Sequence, residues 1–154
     1  MSIKIITANT SHTPVISTIG KQSFRDAFAH LFNNKTVLQN YLDKTYHPDK
    51  IARSLQKENN VFFLAFVENV PVGFAKVKKY SLNDQIQSVA QMELQKIYVL
   101  SYYHGSGAGA SLMQAVLDLS KQVRPDLLWL DTYTGNTKAI RFYEKNGFKK
   151  SVAC

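Results

Sequence analysis

Cysteine is almost absent: the 154-residue chain has one, Cys154, at its last position. No disulfide can close within the chain and no cysteine-based zinc site can form, which fits a reducing, cytoplasmic setting. Acidic residues are also scarce, 11 against 19 lysines and arginines, for a net charge of +8. Such an excess asks for an anionic partner: nucleic acid, an acidic surface or a phosphorylated small molecule. No apolar run approaches the roughly 20 residues of a membrane helix. The N-terminus, Met1-Ser2-Ile3-Lys4-Ile5-Ile6, lacks the long apolar core of a signal peptide. No membrane is expected. His12, His30 and His47 lack metal-ligand spacing, so no metal is expected either. With 45 % hydrophobic and 19 % charged residues, and no repeat or linker, the chain reads as one domain, 1–154, large enough for its own core.

The pattern along the chain is mixed α/β. Ile3 and Ile5 begin a strand, and Ser11-His12-Thr13-Pro14 can open a helix carrying Ile16, Ile19, Phe24, Ala27, Phe28 and Leu31. Val37, Leu38, Tyr41 and Leu42 predict a second helix, and Pro48 to Lys57 a third. Two strands follow, Val61 to Val67 and Val72 to Lys78, with Glu68-Asn69-Val70-Pro71 as the turn of an antiparallel hairpin. The run Met92 to Val99 alternates, which places Glu93, Gln95 and Ile97 on one face and Leu94, Lys96 and Tyr98 on the other. An amphipathic helix from Ala108 to Leu119 stops near Pro125, and Leu127 to Leu130 reads as a short buried strand. Asn136 can cap a last helix with Ala139, Ile140, Phe142 and Tyr143, ended by Gly147.

The chemistry concentrates between the alternating strand and the helix after it, in His104-Gly105-Ser106-Gly107-Ala108-Gly109. Glycines in alternation let backbone amides approach an anion at a positive helix end, as a pyrophosphate requires; a plain strand-to-helix turn is the other reading. A nucleotide P-loop needs Gly-Lys-Ser/Thr, and no lysine follows these glycines. A dinucleotide fingerprint belongs after the first strand of a parallel unit, whereas this loop follows an antiparallel hairpin. The anion is therefore expected to be neither ATP nor NAD. A second segment, Asn136 to Phe148, begins 27 positions after Gly109.

Together the two segments resemble the GNAT superfamily of acetyl-CoA-dependent N-acetyltransferases. Its loop, Gln/Arg-x-x-Gly-x-Gly/Ala, is matched by His104 to Gly109, and its Asn-x-x-Ala-x-x-Phe-Tyr-x-x-x-Gly-Phe pattern by Asn136 to Phe148. The order of helices, hairpin and strands fits as well, so the resemblance covers most of the chain. Ser23-Phe24-Arg25-Asp26-Ala27-Phe28 with Tyr41-Leu42 is similar to PaiA-like bacterial acetyltransferases, some of which act on polyamines.

The resemblance implies an α/β (α+β) fold with a mostly antiparallel central sheet flanked by helices. It implies acetyl-CoA as co-substrate and a primary amine as acceptor. The backbone of Ile97, Tyr98 and Val99 would pair with the pantetheine arm. Amides of Gly105, Ser106, Gly107, Ala108 and Gly109 would hold the pyrophosphate, and Asn136 would contact the pantetheine. Tyr143 would protonate the departing thiolate, a task suited to a group with a pKa near 10. Glu93 would take a proton from the acceptor ammonium, and a strand amide would support the developing oxyanion.

His104 stands where the family has Gln or Arg; protonated, it would meet a phosphate well, and CoA affinity would then fall as pH rises, while a surface loop histidine with no contact is the other reading. Only six residues follow Phe148, so the family's last strands are expected to be short or missing, and a slot beside Leu127 to Leu130 invites pairing with a second copy, a homodimer. Lys138, Arg141, Lys145, Lys149 and Lys150 are expected as a solvated basic face, with the CoA 3′-phosphate as their other use. A polyamine acceptor would want acidic walls, for which Glu93, Asp26 and Glu68 are available. The other reading of +8 is a basic module for nucleic acid or an acidic partner, or a CoA-binding protein without turnover. No helix-turn-helix, aromatic RNA-binding motif or arginine stripe supports nucleic acid.

Overall fold

The computed structural model describes residues 2–150; Cys154 lies outside them. The elements run β1 (Ile3–Thr7), α1 (Thr13–Phe28), α2 (Lys35–Thr45), α3 (Pro48–Gln56), β2 (Asn60–Val67), β3 (Val70–Lys78), β4 (Gln91–Val99), α4 (Ala108–Val123), β5 (Leu127–Trp129) and α5 (Thr137–Lys145). Five strands form one sheet in chain order; the first three pairings are antiparallel and β4–β5 is parallel. Helix α4 is the crossover that a parallel pairing demands.

The sheet buries both faces. Ala65, Val67, Val72, Ala75, Val77, Met92 and Leu94 pack against Leu112, Met113 and Val116 of α4. Phe62, Leu64 and Phe74 pack against Ile16, Ile19, Leu38, Leu42 and Ile51 of α1–α3. Each of these side chains larger than alanine contributes roughly 1.5–3 kcal/mol by leaving water. The mixed, mostly antiparallel architecture expected from the sequence is what forms.

Local details depart from the pattern. Asn9 caps a 3-10 turn over Thr10–His12, and α1 starts behind it with proline in its first turn. Helix α1 stops at Phe28, and Ala29–Leu31 continue as a 3-10 turn. The hairpin turn uses only Glu68 and Asn69, whose φ angles of 47° and 67° make it the two-residue type that matches strand twist; Val70 and Pro71 already belong to β3.

The largest departure lies in β4. Lys76 pairs with Lys96 but Val77 pairs with Leu94, so Gln95 has no opposite residue. This β-bulge breaks the alternation expected for Met92 to Val99. Leu94, Ile97 and Val99 turn toward the α4 side. Glu93, opposite Lys78, therefore shares the α1–α3 side with Lys96 and Tyr98, rather than a face with Ile97. A one-residue insertion of this kind exchanges the two faces downstream of it.

Strand β5 pairs with β4 only from Gln91↔Leu127 to Glu93↔Trp129. Beyond Glu93 the two chains separate. Among the described residues no strand follows α5, and the sheet is not closed.

Candidate active site

The separation of β4 from β5 leaves one edge of β4 open from the bulge to Val99. The amide of Leu100 donates to the Val72 carbonyl on β3 at 2.8 Å. Backbone direction alternates along a strand, so the groups of Tyr98 face β3 while those of Ile97 and Val99 face the opening. Gly73 marks how closely β3 approaches: a Cβ there would lie 2.6 Å from the Tyr98 carbonyl oxygen. Of the three backbones expected to meet a pantetheine arm, those of Ile97 and Val99 face the open edge, where the Val99 carbonyl is engaged by His104, and those of Tyr98 are turned into the sheet.

At the end of this edge the chain makes a 3-10 turn, Ser101–Tyr103, and enters the glycine loop. Gly105 and Gly107 have φ of +84° and +95°, which side chains disfavour. Gly107 is the residue before α4; the Ser106 amide donates to the Tyr103 carbonyl at 3.1 Å and the Ala108 amide to the Ser106 hydroxyl at 3.2 Å, so of the five amides expected to meet a pyrophosphate these two are spent inside the loop. Helix geometry leaves the amides of Gly109 and Ala110 without carbonyls inside α4. The loop thus turns amides outward at the positive end of a 16-residue helix.

His104 does not point outward from this loop. Its Nε2 lies 2.8 Å from the Val99 carbonyl oxygen, and its Nδ1 lies 3.2 Å from Lys138 Nζ. A carbonyl only accepts and an ammonium only donates, so the ring is the neutral tautomer with its proton on Nε2. Of the basic residues near the C-terminus, Lys138 thereby reaches the loop from the first turn of α5.

Asn136 caps α5 by accepting the Ala139 amide at 3.3 Å. Phe142 of α5 faces the loop, 3.7 Å from where a Cβ on Gly109 would be. The next residue, Tyr143, packs edge-on against Phe142 and Phe148. Burial, and to a lesser degree the neighbouring Tyr98 phenol, pushes the Tyr143 hydroxyl up to about 12. The Tyr98 phenol lies near that of Tyr46, and burial raises both above their ordinary value. Tyr46 is held by α1: its carbonyl accepts from Ser17 Oγ at 2.6 Å, and its ring lies where any side chain on Gly20 would sit.

Glu93 is 9 % exposed and accepts a 2.7 Å hydrogen bond from Ser81 Oγ. Ser81 is in turn fixed by Trp129, whose indole donates to the Ser81 carbonyl at 2.8 Å. The 81–90 loop behind it is organised by buried Gln91, whose amide donates to the carbonyls of Ile86 and Ser88 and whose oxygen accepts from the Asn83 amide. Lys96 lies over the Tyr46 ring, 5.3 Å from its centroid, and is close enough to feel the Glu93 charge.

The profile of the acetyltransferase (GNAT) family matches residues 23–148, most of the chain. The chain belongs to the GNAT acetyltransferase family. It is an acetyl-CoA-dependent N-acetyltransferase. An uncharacterised N-acetyltransferase of Mycobacterium tuberculosis is 30 % identical over 112 residues, which cover 73 % of this chain and 67 % of that protein. Another, from Lactobacillus delbrueckii subsp. lactis, is 21 % identical over 148 residues, covering 96 % and 85 %. Among solved structures, PaiA N-acetyltransferase of Thermoplasma acidophilum in complex with coenzyme A superposes with a TM-score of 0.85 at 19 % identity, covering 100 % of this chain and 94 % of that one. An aminoglycoside N-acetyltransferase in complex with CoA gives 0.72 at 18 % identity, covering 99 % and 91 %. These two likenesses speak for the fold.

In this GNAT chain the residues present fit coenzyme A. An unpaired strand edge suits an extended amide-bearing arm, and a loop of outward amides whose positive-φ positions are glycine suits a diphosphate. The fold ties Val99 to His104, His104 to Lys138, and Gly109 to Phe142, the neighbour of Tyr143, so the β4 edge, the glycine loop and α5 meet. It does not gather the acidic residues considered for a polyamine. Asp26 accepts from Ser101 Oγ at 3.0 Å, and Glu68 is tied to the Ser2 amide in the hairpin turn. Sequence reasoning missed Ser81, Gln91, Lys76, Lys96 and Tyr46. A glutamine, a serine, a tyrosine and two lysines carry no motif; they acquire a place only through the bulge and the β3–β4 pairing.

Proposed function

We propose that the chain transfers the acetyl group of acetyl-CoA to a primary amine by direct attack, with Glu93 as base and Tyr143 as acid. Acetyl-CoA supplies a thioester carbonyl. The open edges of Ile97 and Val99 align its pantetheine arm, the amides of Gly105, Gly107 and Gly109 hold its diphosphate, and Asn136 borders the arm. Glu93 takes a proton from the acceptor ammonium, and the freed nitrogen forms the C–N bond as the C–S bond breaks. Tyr143, kept protonated by burial, gives its proton to the leaving sulfur. The second nitrogen proton is released as the amide forms, so one proton is released overall. Alignment of the two substrates supplies much of the acceleration.

The observation that carries this reading is the open β4 edge, which runs from just past Glu93 to the glycine loop, with Ile97, Val99 and Tyr143 packed against the same core cluster. The test is to heat the chain with excess acetyl-CoA or with adenosine. A ligand at about 100 times its Kd stabilises by about 2.7 kcal/mol, a shift of several degrees. An acetyl-CoA-specific rise, followed by amine-dependent release of thiol, is expected. A well-folded protein that shows neither would refute the assignment. The rival basic-module reading predicts steeply salt-dependent binding to random DNA instead.

A further inference from the structure

The face that carries Glu93 is basic. Lys76 and Lys96 stand directly opposite each other on β3 and β4. Like charges in that relation repel. Both are half-buried, and among the described residues neither has a carboxylate within ion-pair distance; the pairs found there are Lys21–Asp43 and His47–Asp49. Instead each ammonium lies over an aromatic ring, Lys76 over Phe62 at 5.7 Å and Lys96 over Tyr46 at 5.3 Å. Burial pulls the Lys76 ammonium down to about 8, helped by Lys78, Lys96, Lys57 and Lys50. Burial lowers Lys96 too, with Lys50 adding to the effect and Glu93 opposing it. Three strand lysines, Lys76, Lys78 and Lys96, thus surround one strand carboxylate, Glu93, with Lys50 of α3 and Lys57 behind it adding to the positive field.

A fold does not gain stability from two partly desolvated, mutually repelling ammonium groups; an anion between them would relieve both costs. Such an anion would share a face of the sheet with Glu93, whose charge reaches Lys96. We propose that the acceptor is a small amine that also carries a carboxylate, and that Lys76 and Lys96 seat that carboxylate while Glu93 receives the amine. This deepens the acyl-transfer reading and rests on it. A polycation would meet two lysines at this face. The competing acidic feature is an open depression beside Trp129 that includes Asp84 and Asp131. Both aspartates are exposed, so water already satisfies them.

The experiment uses the full chain saturated with CoA, after acetyl-CoA binding itself has been measured. Matched amines that differ by one carboxylate are titrated calorimetrically and then assayed with acetyl-CoA: L-lysine against cadaverine, L-phenylalanine against phenethylamine, and glycylglycine against its amide. Seating a carboxylate on a buried cation should favour the first member of each pair by about tenfold or more. Lys96→Met and the double variant Lys76→Met/Lys96→Met should reduce that preference, read as the ratio within each pair, to near unity. These variants remove repulsion and should fold. Equal or tighter binding of the decarboxylated member overturns the proposal, as does a preference that survives the double variant. Absence of acetyl-CoA binding at the first step would instead overturn the acyl-transfer reading, so the two failures are distinguishable.

Discussion

The imidazole Nε2 of His104 donates to the carbonyl of Val99 across 2.8 Å, so the glycine loop bends back onto the free edge of β4. Lys138 holds the other ring nitrogen. The position that in the GNAT pattern is Gln or Arg therefore occupies an acceptor that a strand-like pantetheine arm needs. One neutral hydrogen bond is worth about 0.5–1.5 kcal/mol, so His104→Ala should tighten acetyl-CoA binding by about two- to tenfold in a calorimetric titration. A looser complex would mean that His104 serves the phosphates, one of the two readings its place in the sequence allows.

The Tyr143 hydroxyl, pushed up to about 12 by burial, is a donor throughout the accessible pH range. A raised phenol pKa keeps the neutral form below it and loses it only above it. The pH profile should therefore show no loss of activity from this group below about pH 10. Tyr143→Phe should lower kcat by about a hundredfold or more at every pH and change KM for acetyl-CoA little. A fall in affinity without a fall in kcat would assign Tyr143 to packing.

Glu93→Gln separates a base from a structural carboxylate. If Glu93 takes the ammonium proton, the variant must wait for amine that is already neutral. Its kcat/KM should fall by about 10²–10⁴-fold near neutrality and then rise tenfold per pH unit up to the pKa of the acceptor. A uniform loss at all pH values would point to a disturbed Ser81–Trp129 contact instead.

The Lys76 ammonium is drawn down to about 8 in the folded chain from an ordinary 10.5. Between those values the unfolded chain binds more protons, so the lysine costs stability at neutral pH and the cost fades as pH rises from 8 to 10.5. Lys76→Met should raise the melting temperature at pH 7 by a few degrees, on the order of 1 kcal/mol after allowance for solvent screening. The gain should vanish near pH 10.5. Stability that rises while carboxylate preference falls is the pattern of a functional group held at a cost.

The strands, the five helices and the glycine loop were legible because each carries a local signal: alternation, a cap, or a glycine spacing that one segment defines. Asn136 read as a cap and is one. Glu93 was found by its place before the loop, but its face was not, because Gln95 gives no sign that it will bulge. The bulge arises from the pairing of β3 with β4, which no single strand encodes. The same pairing sets Lys76 against Lys96, 20 positions apart in sequence and adjacent in the sheet. His104 was legible as an exposed loop residue near an anion, and its inward turn depends on Lys138 from a helix 34 positions away.

The central claim is that acetyl-CoA lies as an added strand along β4 and ends in the glycine loop. Residue-resolved amide hydrogen exchange with and without acetyl-CoA tests it directly. The amides of Ile97 and Val99 should gain protection on binding, together with those of Gly105, Gly107 and Gly109. The Leu100 amide, already bonded to Val72, should change little. Protection confined to the 81–90 loop, or unchanged exchange at Ile97 and Val99 under saturating acetyl-CoA, would contradict the account.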